Sequence, residues 1–445
     1  MENRLIAFNR SIRSIRSFGI CFLIVTFILG VLGCNSGNIM EQQNLDDVTL
    51  VKVAFWGSPE EIEIITECIK DWESSHPDIK VRFEHTPYGG YVSKILTRIA
   101  GNAAPDVICT EVNYFVTFAT ENVLFDLSEF IDNDTSFNLD DFFPEVVDRF
   151  TRENKIYAIP RDTAPFACVF YNKDIFDEAG VSYPTDDWTW DDLLDKAQAL
   201  TKKDERGKVL RYGFYGWAWQ NFIYGNGGSL VDDVKNPTVC TLDSPLSIEG
   251  LQFYSDLINK YHVMPTPVAL TNLGMGVDYM FSNGRLAMFL SGIWETPSLR
   301  NYDFRWDVAM FPKNNKGIRR FGTGGSGYAV LKSSQHKKEA WEVVKALTSP
   351  QAQIKLAEMG LAQPARRSIA ESSHFATYPD PPRNKGMLNN AVKFAVYDPF
   401  HPNWREIEAR YIIPALDLVK NGKETAEVAM KKVIHDVNLL LQKKE

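Results

Sequence analysis

Residues 50–109 alternate between strand-like and helix-like segments. This alternation restricts the fold more than any other feature of the sequence. Residues 50–56 and 79–83 alternate apolar and polar side chains, as strands do. Residues 58–72 and 91–99 repeat apolar side chains at helical spacing, and residues 105–109 form a short third strand. Strand, helix, strand, helix, strand is typical of a parallel α/β sheet.

The ends of these predicted strands indicate where a ligand would bind. Ligands of open parallel sheets lie beyond the carboxyl ends of the strands, which here are Trp56 and Glu111. Ser58 follows Trp56, with Pro59 at the first helical position and a glutamate at the third, so the sequence predicts a capping box. One of Glu60 and Glu61 therefore has a structural interpretation as well as a binding one.

The N-terminus carries an export pattern. Four arginines precede an apolar run over residues 18–32, which is shorter than the ~20 residues that span a bilayer. Small residues and then Cys34 end the run and resemble the lipobox of bacterial lipoproteins. We expect residues 1–33 to be a signal peptide, Cys34 to carry a lipid, and residues 34–48 to include a flexible tether. The alternative is a signal anchor that stays uncleaved.

Length and charge restrict the classes of function. About 400 residues remain after the tether. A single hydrophobic core rarely extends over so many residues, so two domains are expected. Hydrophobic content of 44% and charged content of 24% are those of a globular protein. The chain has a net charge of −9, and the part after residue 33 has −12, because residues 1–33 carry four arginines and one glutamate. This acidic balance argues against nucleic-acid binding.

The cysteines predict neither a metal centre nor a fixed disulfide pattern. Four of the six lie after Cys34, and they are widely spaced without a C-x-x-C pair, so no zinc or thioredoxin-type motif is present in the sequence. An exported location permits disulfides, and the spacing leaves zero, one or two bridges open. We expect no metal and no cofactor.

Five motifs lie between residues 159 and 350, in the segments 159–180, 190–193, 281–294, 324–330 and 338–350. They resemble the family 1 extracellular solute-binding proteins of ABC sugar importers, the maltose-binding-protein-like family. The motifs follow the family order, and the resemblance covers residues 49–445.

This resemblance implies an α/β, two-lobed periplasmic-binding-protein fold of type II-like topology, with discontinuous lobes joined by hinge crossings. Residues 49–163 and 293–332 would form lobe 1, and residues 164–292 and 333–445 would form lobe 2. The crossings are expected at residues 158–166, 290–294 and 331–334. A crossing gives Gly292 a hinge role, although it could equally end a plain strand.

A sugar site needs carboxylates or amides for hydroxyl groups and aromatic rings for the apolar faces of the sugar. Trp217 and Trp219 alternate in a glycine-rich segment, so in a strand both would face one side. Gly325 would allow a close backbone approach, and Trp404 resembles a late aromatic residue of the family. Each position also has a structural interpretation in the core, a turn or a salt bridge. The predicted ligand contacts are Trp56, Glu111, Asp162, Trp217, Trp219, Trp294, Gly325 and Trp404.

The resemblance implies a lipid-anchored, extracytoplasmic and monomeric binding protein that closes around a mono- or oligosaccharide and presents it to the permease subunits of an ABC importer. It would perform no chemistry on the ligand. One alternative keeps the fold and binds a polyamine or another small solute, since tryptophans and carboxylates also hold cations. A lipid-anchored glycoside hydrolase, using a carboxylate pair such as Glu111 and Asp162, is a weaker alternative.

Overall fold

The computed structural model describes residues 48–443. Its strands are mostly short, and several consist of two residues. In chain order they are β1 (Thr49–Phe55), β2 (Ile79–His85), β3 (Val107–Glu111), β4 (Thr151–Arg152), β5 (Lys155–Ile156), β6 (Ile159–Pro160), β7 (Cys168–Asn172), β8 (Lys202–Lys203), β9 (Val209–Arg211), β10 (Tyr215–Gly216), β11 (Met288–Ser291), β12 (Trp306–Met310), β13 (Phe321–Gly322), β14 (Ser326–Val330) and β15 (Ala395–Val396).

The helices vary in length from one turn to more than four turns. They are α1 (Pro59–Ser75), α2 (Tyr91–Ala100), α3 (Val112–Thr120), α4 (Ser128–Asn133), α5 (Pro144–Val147), α6 (Lys173–Ala179), α7 (Trp190–Leu200), α8 (Gln220–Gly225), α9 (Pro245–Asn259), α10 (Pro267–Leu273), α11 (Val277–Ser282), α12 (Thr296–Leu299), α13 (Lys337–Leu347), α14 (Pro350–Glu358), α15 (Arg367–Ala370), α16 (Leu388–Ala391), α17 (Trp404–Ile407), α18 (Ile413–Lys420) and α19 (Ala426–Leu441). None of these helices is long and apolar enough to cross a membrane.

The first sheet has the strand order β2-β1-β3-β14-β6. Strand β1 pairs in parallel with both β2 and β3, which confirms the α/β pattern predicted from the sequence. Strand β14 is antiparallel to both of its neighbours, β3 and β6, so the sheet is mixed. Half of the predicted capping box of α1 is confirmed, because the Ser58 hydroxyl accepts a hydrogen bond from the Glu61 amide at 3.2 Å. The Glu61 carboxylate pairs with Arg161 instead of completing the box.

Both faces of the first sheet are covered by helices, as a parallel sheet requires. Val51, Val53 and Phe55 pack on one side with residues of α1, α13 and α14. Ala54 and Ile108 pack on the other side with residues of α2 and α3. Alternate residues of β1 thus belong to two separate cores, which explains why the whole strand is rich in apolar side chains.

The second sheet has the order β10-β11-β7-β12. Strand β7 lies between β11 and β12 and is antiparallel to both, while β10 is parallel to β11. One large core surrounds this sheet and extends to the C-terminal helices, where α18 and α19 pack on α9. The structure therefore contains two mixed sheets with separate cores.

Strand pairing and helix packing differ from the predicted lobe boundaries in three places. Residues 306–310 were assigned to lobe 1 by the resemblance, yet β12 pairs with β7 in the second sheet. The third crossing was expected at residues 331–334, whereas the chain passes from β12 to β14 between residues 310 and 326. Helices α13 and α14, assigned to lobe 2, pack against α1. The other lobe boundaries remain a prediction.

Candidate functional site

A cavity of about 510 Å³ is lined by residues at the ends of strands of the first sheet and by residues that follow strands of the second sheet. Its volume is within the usual range of small-molecule sites, ~300–1,000 Å³. The lining residues are Trp56, Gly57, Ser58, Glu61, Tyr88, Glu111, Arg161, Asp162, Ala164, Phe166, Trp217, Ile293, Trp294, Gly324, Gly325, Ser326, Leu361, Ala362 and Gln363.

The carboxyl ends of β1 and β3 bring Trp56 and Glu111 to one wall of the cavity. The strands are parallel neighbours, so these two ends lie at the same edge of the sheet. Trp56 is held edge-to-face by three tyrosine rings, with centroids 4.9 Å away for Tyr91, 5.5 Å for Tyr114 and 5.8 Å for Tyr88. The ring of Trp56 therefore has a fixed orientation.

Asp162 lies in a buried ionic cluster with Glu61 and Arg161, here called the Arg161 cluster. The Arg161 guanidinium donates from Nε to Asp162 Oδ2 at 2.7 Å and from Nη1 to Glu61 Oε1 at 3.2 Å. Asp162 also accepts hydrogen bonds from the Ser326 amide at 3.0 Å and from its hydroxyl at 2.6 Å. Burial raises the pKa of Glu61, and the charge of Arg161 opposes this. The cluster thus joins the chain crossing at residue 162 to α1 and β14.

Glu111 belongs to a second acidic group, here called the Glu111 cluster, with Asp398 and Glu408. Tyr88 donates a short hydrogen bond from its hydroxyl to Glu111. Burial raises the pKa of Glu111 to about 7, and the charge of Asp398 adds to this shift. The Tyr88 hydrogen bond and the charge of Arg405 oppose it. Burial likewise raises the pKa of Asp398 to about 6 and that of Glu408 to about 8. The pKa values of these three carboxyl groups therefore lie between about 6 and 8, close to neutral pH.

The opposite wall of the cavity is aromatic. Trp217 is 38% exposed, and its ring meets Phe166 edge-to-face with centroids 4.8 Å apart. Phe166 also meets Trp294 edge-to-face at 6.1 Å. A Cβ atom at Gly292 would lie 1.8 Å from the Trp294 ring, so glycine at this position allows the ring to fold over the backbone. The wall offers flat apolar surface on which a sugar face could pack.

Gly325 lies at the cavity with a φ of +102°, a conformation that favours glycine. A Cβ atom here would stand 2.7 Å from Nη1 of Arg149. That nitrogen donates to the carbonyl oxygens of Thr163 at 2.9 Å and Gly324 at 2.8 Å. The glycine therefore permits a buried arginine to tie two passages of the chain together, while its proposed ligand contact remains a prediction.

Two of the predicted contacts, Trp219 and Trp404, do not line the cavity. The structure has only two residues of strand at β10, and Trp219 adopts right-handed helical backbone angles before α8. The alternation that would have put Trp217 and Trp219 on one side therefore fails, and Trp219 packs in the core. Trp404 opens α17 and is 2% exposed in that same core.

Several lining residues were not predicted as contacts. Tyr88 occupies a short 3₁₀ turn before α2, where the sequence offers only a proline and two glycines as a turn signal. Gln363 lies after α14 and accepts a hydrogen bond from the Thr163 hydroxyl at 2.5 Å. No local pattern marks it, because its contact is with a residue 200 positions earlier.

The cysteines after Cys34 are all buried and free, which answers the open question of disulfides for the described residues. They are Cys68, Cys109, Cys168 and Cys240. Within residues 48–443, no group of three or more histidine, cysteine or acidic side chains is placed to hold a metal ion.

Several known proteins with similar sequences are named as binding proteins. The chain is 23% identical to the multiple sugar-binding protein of Streptococcus mutans, over 79% of this chain and 85% of that protein. It is 22% identical to a putative binding protein of Brucella abortus, over 85% of this chain and 89% of that one. An uncharacterized lipoprotein of Streptomyces antibioticus is 24% identical, over 76% of this chain and 74% of the lipoprotein.

Solved structures agree with this grouping. An ABC substrate-binding protein from Listeria monocytogenes, in complex with cycloalternan, superposes with a TM-score of 0.81 at 27% identity, covering 89% of this chain and all of that chain. An ABC transporter solute-binding protein from Thermotoga lettingae, bound with α-D-tagatose, has a TM-score of 0.75 at 25% identity and covers 88% and 99% of the two chains.

These similarities confirm the predicted family and the predicted fold class. They also confirm the expectation of a binding protein rather than an enzyme. The family model of bacterial extracellular solute-binding proteins matches residues 57–354, and the chain therefore belongs to that family.

Proposed function

We propose that this chain is the carbohydrate-binding component of an ABC importer and that the sugar binds in the cavity between the two sheets. The observation that carries the proposal is the composition of the cavity wall. Trp217, Trp294 and Trp56 supply ring surface, while Glu111 and Gln363 supply oxygen and nitrogen atoms for hydroxyl groups. This combination matches the amphipathic surface of a sugar.

The ligands of similar proteins support the proposal. The Listeria protein was solved with cycloalternan and the Thermotoga protein with α-D-tagatose. Those ligands belong to those proteins, and they differ in size. They favour carbohydrate as the class and leave the identity of the sugar to experiment.

Binding is coupled to closure in this proposal. Trp56 and Glu111 come from the first sheet, whereas Trp217 follows β10 of the second sheet, so the cavity needs both walls. Ligand contacts from the second wall form only in the closed state and shift the population toward it. We propose two lobes as predicted, with residues 306–310 moved to lobe 2 and helices α13 and α14 moved to lobe 1. Permease subunits would recognise the closed form.

The anchor is a separate part of the proposal. Cys34 and the signal segment lie outside the described residues, so their support is the sequence pattern and the similarity to a protein named a lipoprotein. We propose that a lipid on Cys34 holds the binding domain outside the cytoplasmic membrane. Cys34→Ala should abolish incorporation of labelled palmitate and leave the precursor unprocessed. Unchanged labelling would contradict the anchor.

A thermal-shift panel of mono- and oligosaccharides, polyamines and metal salts tests the ligand class. A sugar present at 100 times its dissociation constant should stabilise the protein by about 2.7 kcal/mol. Stabilisation by a polyamine and by none of the sugars would overturn the proposal.

Two tryptophans provide a matched pair of variants for any sugar that binds. Trp217→Ala should weaken binding at least tenfold with little loss of stability, because this ring is 38% exposed at the cavity. Trp219→Ala should instead destabilise the fold by about 3–5 kcal/mol, because that ring is buried in the core. Equal affinity losses for the two variants, measured on folded protein, would contradict this assignment of the wall.

A further inference from the structure

Trp217 comes to the cavity wall at the carboxyl ends of two parallel strands. Strands β10 and β11 are parallel neighbours, and Gly216 pairs with Leu290. The residues that come next in the two segments, Trp217 and Ser291, therefore lie at the same edge of the second sheet. This arrangement places a serine hydroxyl beside the indole ring that faces the cavity.

Two hydrogen bonds in series join this indole to a carboxylate. The Nε1–H group of Trp217 donates to Oγ of Ser291 at 3.4 Å, and the Ser291 hydroxyl donates to Oε1 of Glu295 at 2.8 Å. A hydroxyl group has one proton, so a serine that donates to Glu295 has only acceptor positions left for the indole. The first bond is long, and the shorter, charge-assisted bond to Glu295 is the one that sets the direction of the hydroxyl.

Both partners of Trp217 lie behind the wall rather than in it. Ser291 is 1% exposed, Glu295 lies in the short turn before α12, and neither of them lines the cavity. Burial raises the pKa of Glu295, and the hydrogen bond from Ser291 lowers it. A hydrogen bond from the Trp294 side chain lowers it further, while the charge of Asp278 raises it. One carboxyl group thus holds donors that belong to, or lead to, both tryptophans of the aromatic wall.

The ring of Trp217 has less aromatic packing than the ring of Trp56 across the cavity. Trp56 is held by three tyrosine rings. Trp217 is 38% exposed, and its aromatic contact is the edge-to-face one with Phe166 at 4.8 Å. An exposed side chain that is free to rotate loses entropy when a ligand packs on it, and a side chain held beforehand avoids this cost.

We propose that Ser291 and Glu295 are positioning residues of the sugar site, which hold the indole of Trp217 with its face open to the cavity. Glu295 orients the Ser291 hydroxyl, the hydroxyl holds the indole N–H group, and neither residue touches the sugar. The effect on binding rests on the proposed carbohydrate function, whereas the orientation of the ring is a property of the free protein.

The indole N–H groups of the mature protein test this orientation without a ligand. The chain has 10 tryptophans, all of them after Cys34, so a ¹⁵N-labelled sample should give one indole signal for each. Trp217→Phe identifies the signal of Trp217 by its loss. Ser291→Ala should shift that signal and speed its exchange with solvent about fivefold, the effect of one lost hydrogen bond. An unchanged signal would overturn the inference.

Two variants of Glu295 test its part in the series. Glu295→Gln keeps an oxygen that accepts from Ser291, so the Trp217 signal should stay close to that of wild type. Glu295→Met keeps the length of the side chain and removes both oxygens, so the signals of Trp217 and Trp294 should shift together. Ser291→Ala should by contrast leave the Trp294 signal in place. A Trp217 signal that is unmoved by Glu295→Met would remove Glu295 from the proposal.

Calorimetry measures the consequence for binding, with each mono- or oligosaccharide that stabilises the protein in the thermal-shift panel as a probe. Ser291→Ala should weaken binding about fivefold, the cost of ordering one side chain. Ser334→Ala is the matched control, because Ser334 is also buried and donates to a carboxylate, Asp106, at 2.7 Å. It should lower the unfolding midpoint by a similar amount and leave the affinity unchanged. Equal affinity losses in the two variants would contradict a positioning role.

A double variant separates this role from a general loss of structure. In a Trp217→Phe background the ring has no N–H group, so Ser291→Ala should weaken binding no further. A fivefold loss that persists in this background would overturn the inference and leave carbohydrate binding intact. Binding of none of the sugars would contradict the carbohydrate function itself, and the indole signals alone would then decide whether Ser291 and Glu295 orient Trp217.

Discussion

The Arg161 cluster lines the cavity with all three of its side chains and the Glu111 cluster only with Glu111, and the two clusters are built in opposite ways. In the first, a single guanidinium is hydrogen-bonded to two carboxylates, and Ser326 completes the hydrogen bonds of Asp162. In the second, three carboxyl groups share no ion pair. Paired charges hold a structure together, whereas unpaired charges at a cavity are available to a ligand or a proton.

Removing the guanidinium should have the largest effect on stability. Arg161→Met leaves Glu61 and Asp162 buried without their cation, and we expect a loss of about 3–5 kcal/mol in the free energy of unfolding. Urea unfolding measures this loss. Arg410→Met, at an exposed pair on the surface, should leave the midpoint unchanged. A triple variant that also carries Glu61→Gln and Asp162→Asn should recover part of the loss, and no recovery would argue against unpaired charge as its cause.

Asp162→Asn should have the second largest effect. The amide keeps the shape of the side chain but weakens the bonds from Arg161 and Ser326, so we expect a loss of about 2 kcal/mol. The same unfolding experiment measures it. A loss below half a kcal/mol would show that the Arg161 cluster is not a structural tie, and the comparison between the clusters would fail.

Glu408→Gln should stabilise the protein at alkaline pH. The pKa of Glu408 is raised to about 8, so wild-type stability falls as the pH rises from the unfolded value near 4.5 through 8. The variant lacks this fall and should be more stable than wild type by about 1–2 kcal/mol at pH 8.5, with little difference at pH 4.5. Thermal unfolding at both pH values measures the difference. Equal stability of the two proteins at pH 8.5 would mean that ionised Glu408 has a compensating positive charge in solution.

Glu111→Gln should have the smallest effect on stability. Tyr88 can still donate to the amide oxygen, and a charge next to Asp398 is removed, so we expect a change within about 0.5 kcal/mol at pH 7.5. Set beside Asp162→Asn, this variant compares the loss of one carboxylate charge in each cluster. A loss as large as that of Asp162→Asn would show that both carboxylates are structural.

The sequence predicted those parts of the site that depend on local order. Trp56 and Glu111 were found because they end two strands of a recognisable βαβ pattern, and the end of a strand has a fixed place in a sheet. Asp162 followed from the family resemblance around residues 159–180. Trp294, placed by the same resemblance, also lines the cavity.

The predictions that failed depend on the backbone conformation of a few residues or on contacts between residues far apart in the sequence. The prediction for Trp219 failed because the backbone becomes helical soon after the two-residue strand β10. An alternating residue pattern does not show where a strand ends. Trp404 is in the core, while its neighbour Arg405 reaches the ring of Tyr114. The meeting of Glu111 with Asp398 and Glu408 joins segments almost 300 residues apart, and no pattern in one sequence records it.

The antiparallel insertion of β14 has a consequence for the order in which the molecule can fold. Strand β3 pairs with β14, so the partner for one of its edges emerges roughly 215 residues later in the chain. Until Val330 has been synthesised, β3 presents an open hydrogen-bonding edge with the apolar residues Val107 and Ile108 beside it. Fragments that end before Ser326 should therefore aggregate or require a chaperone, and chains that extend beyond Val330 are the first that can cover this edge of β3.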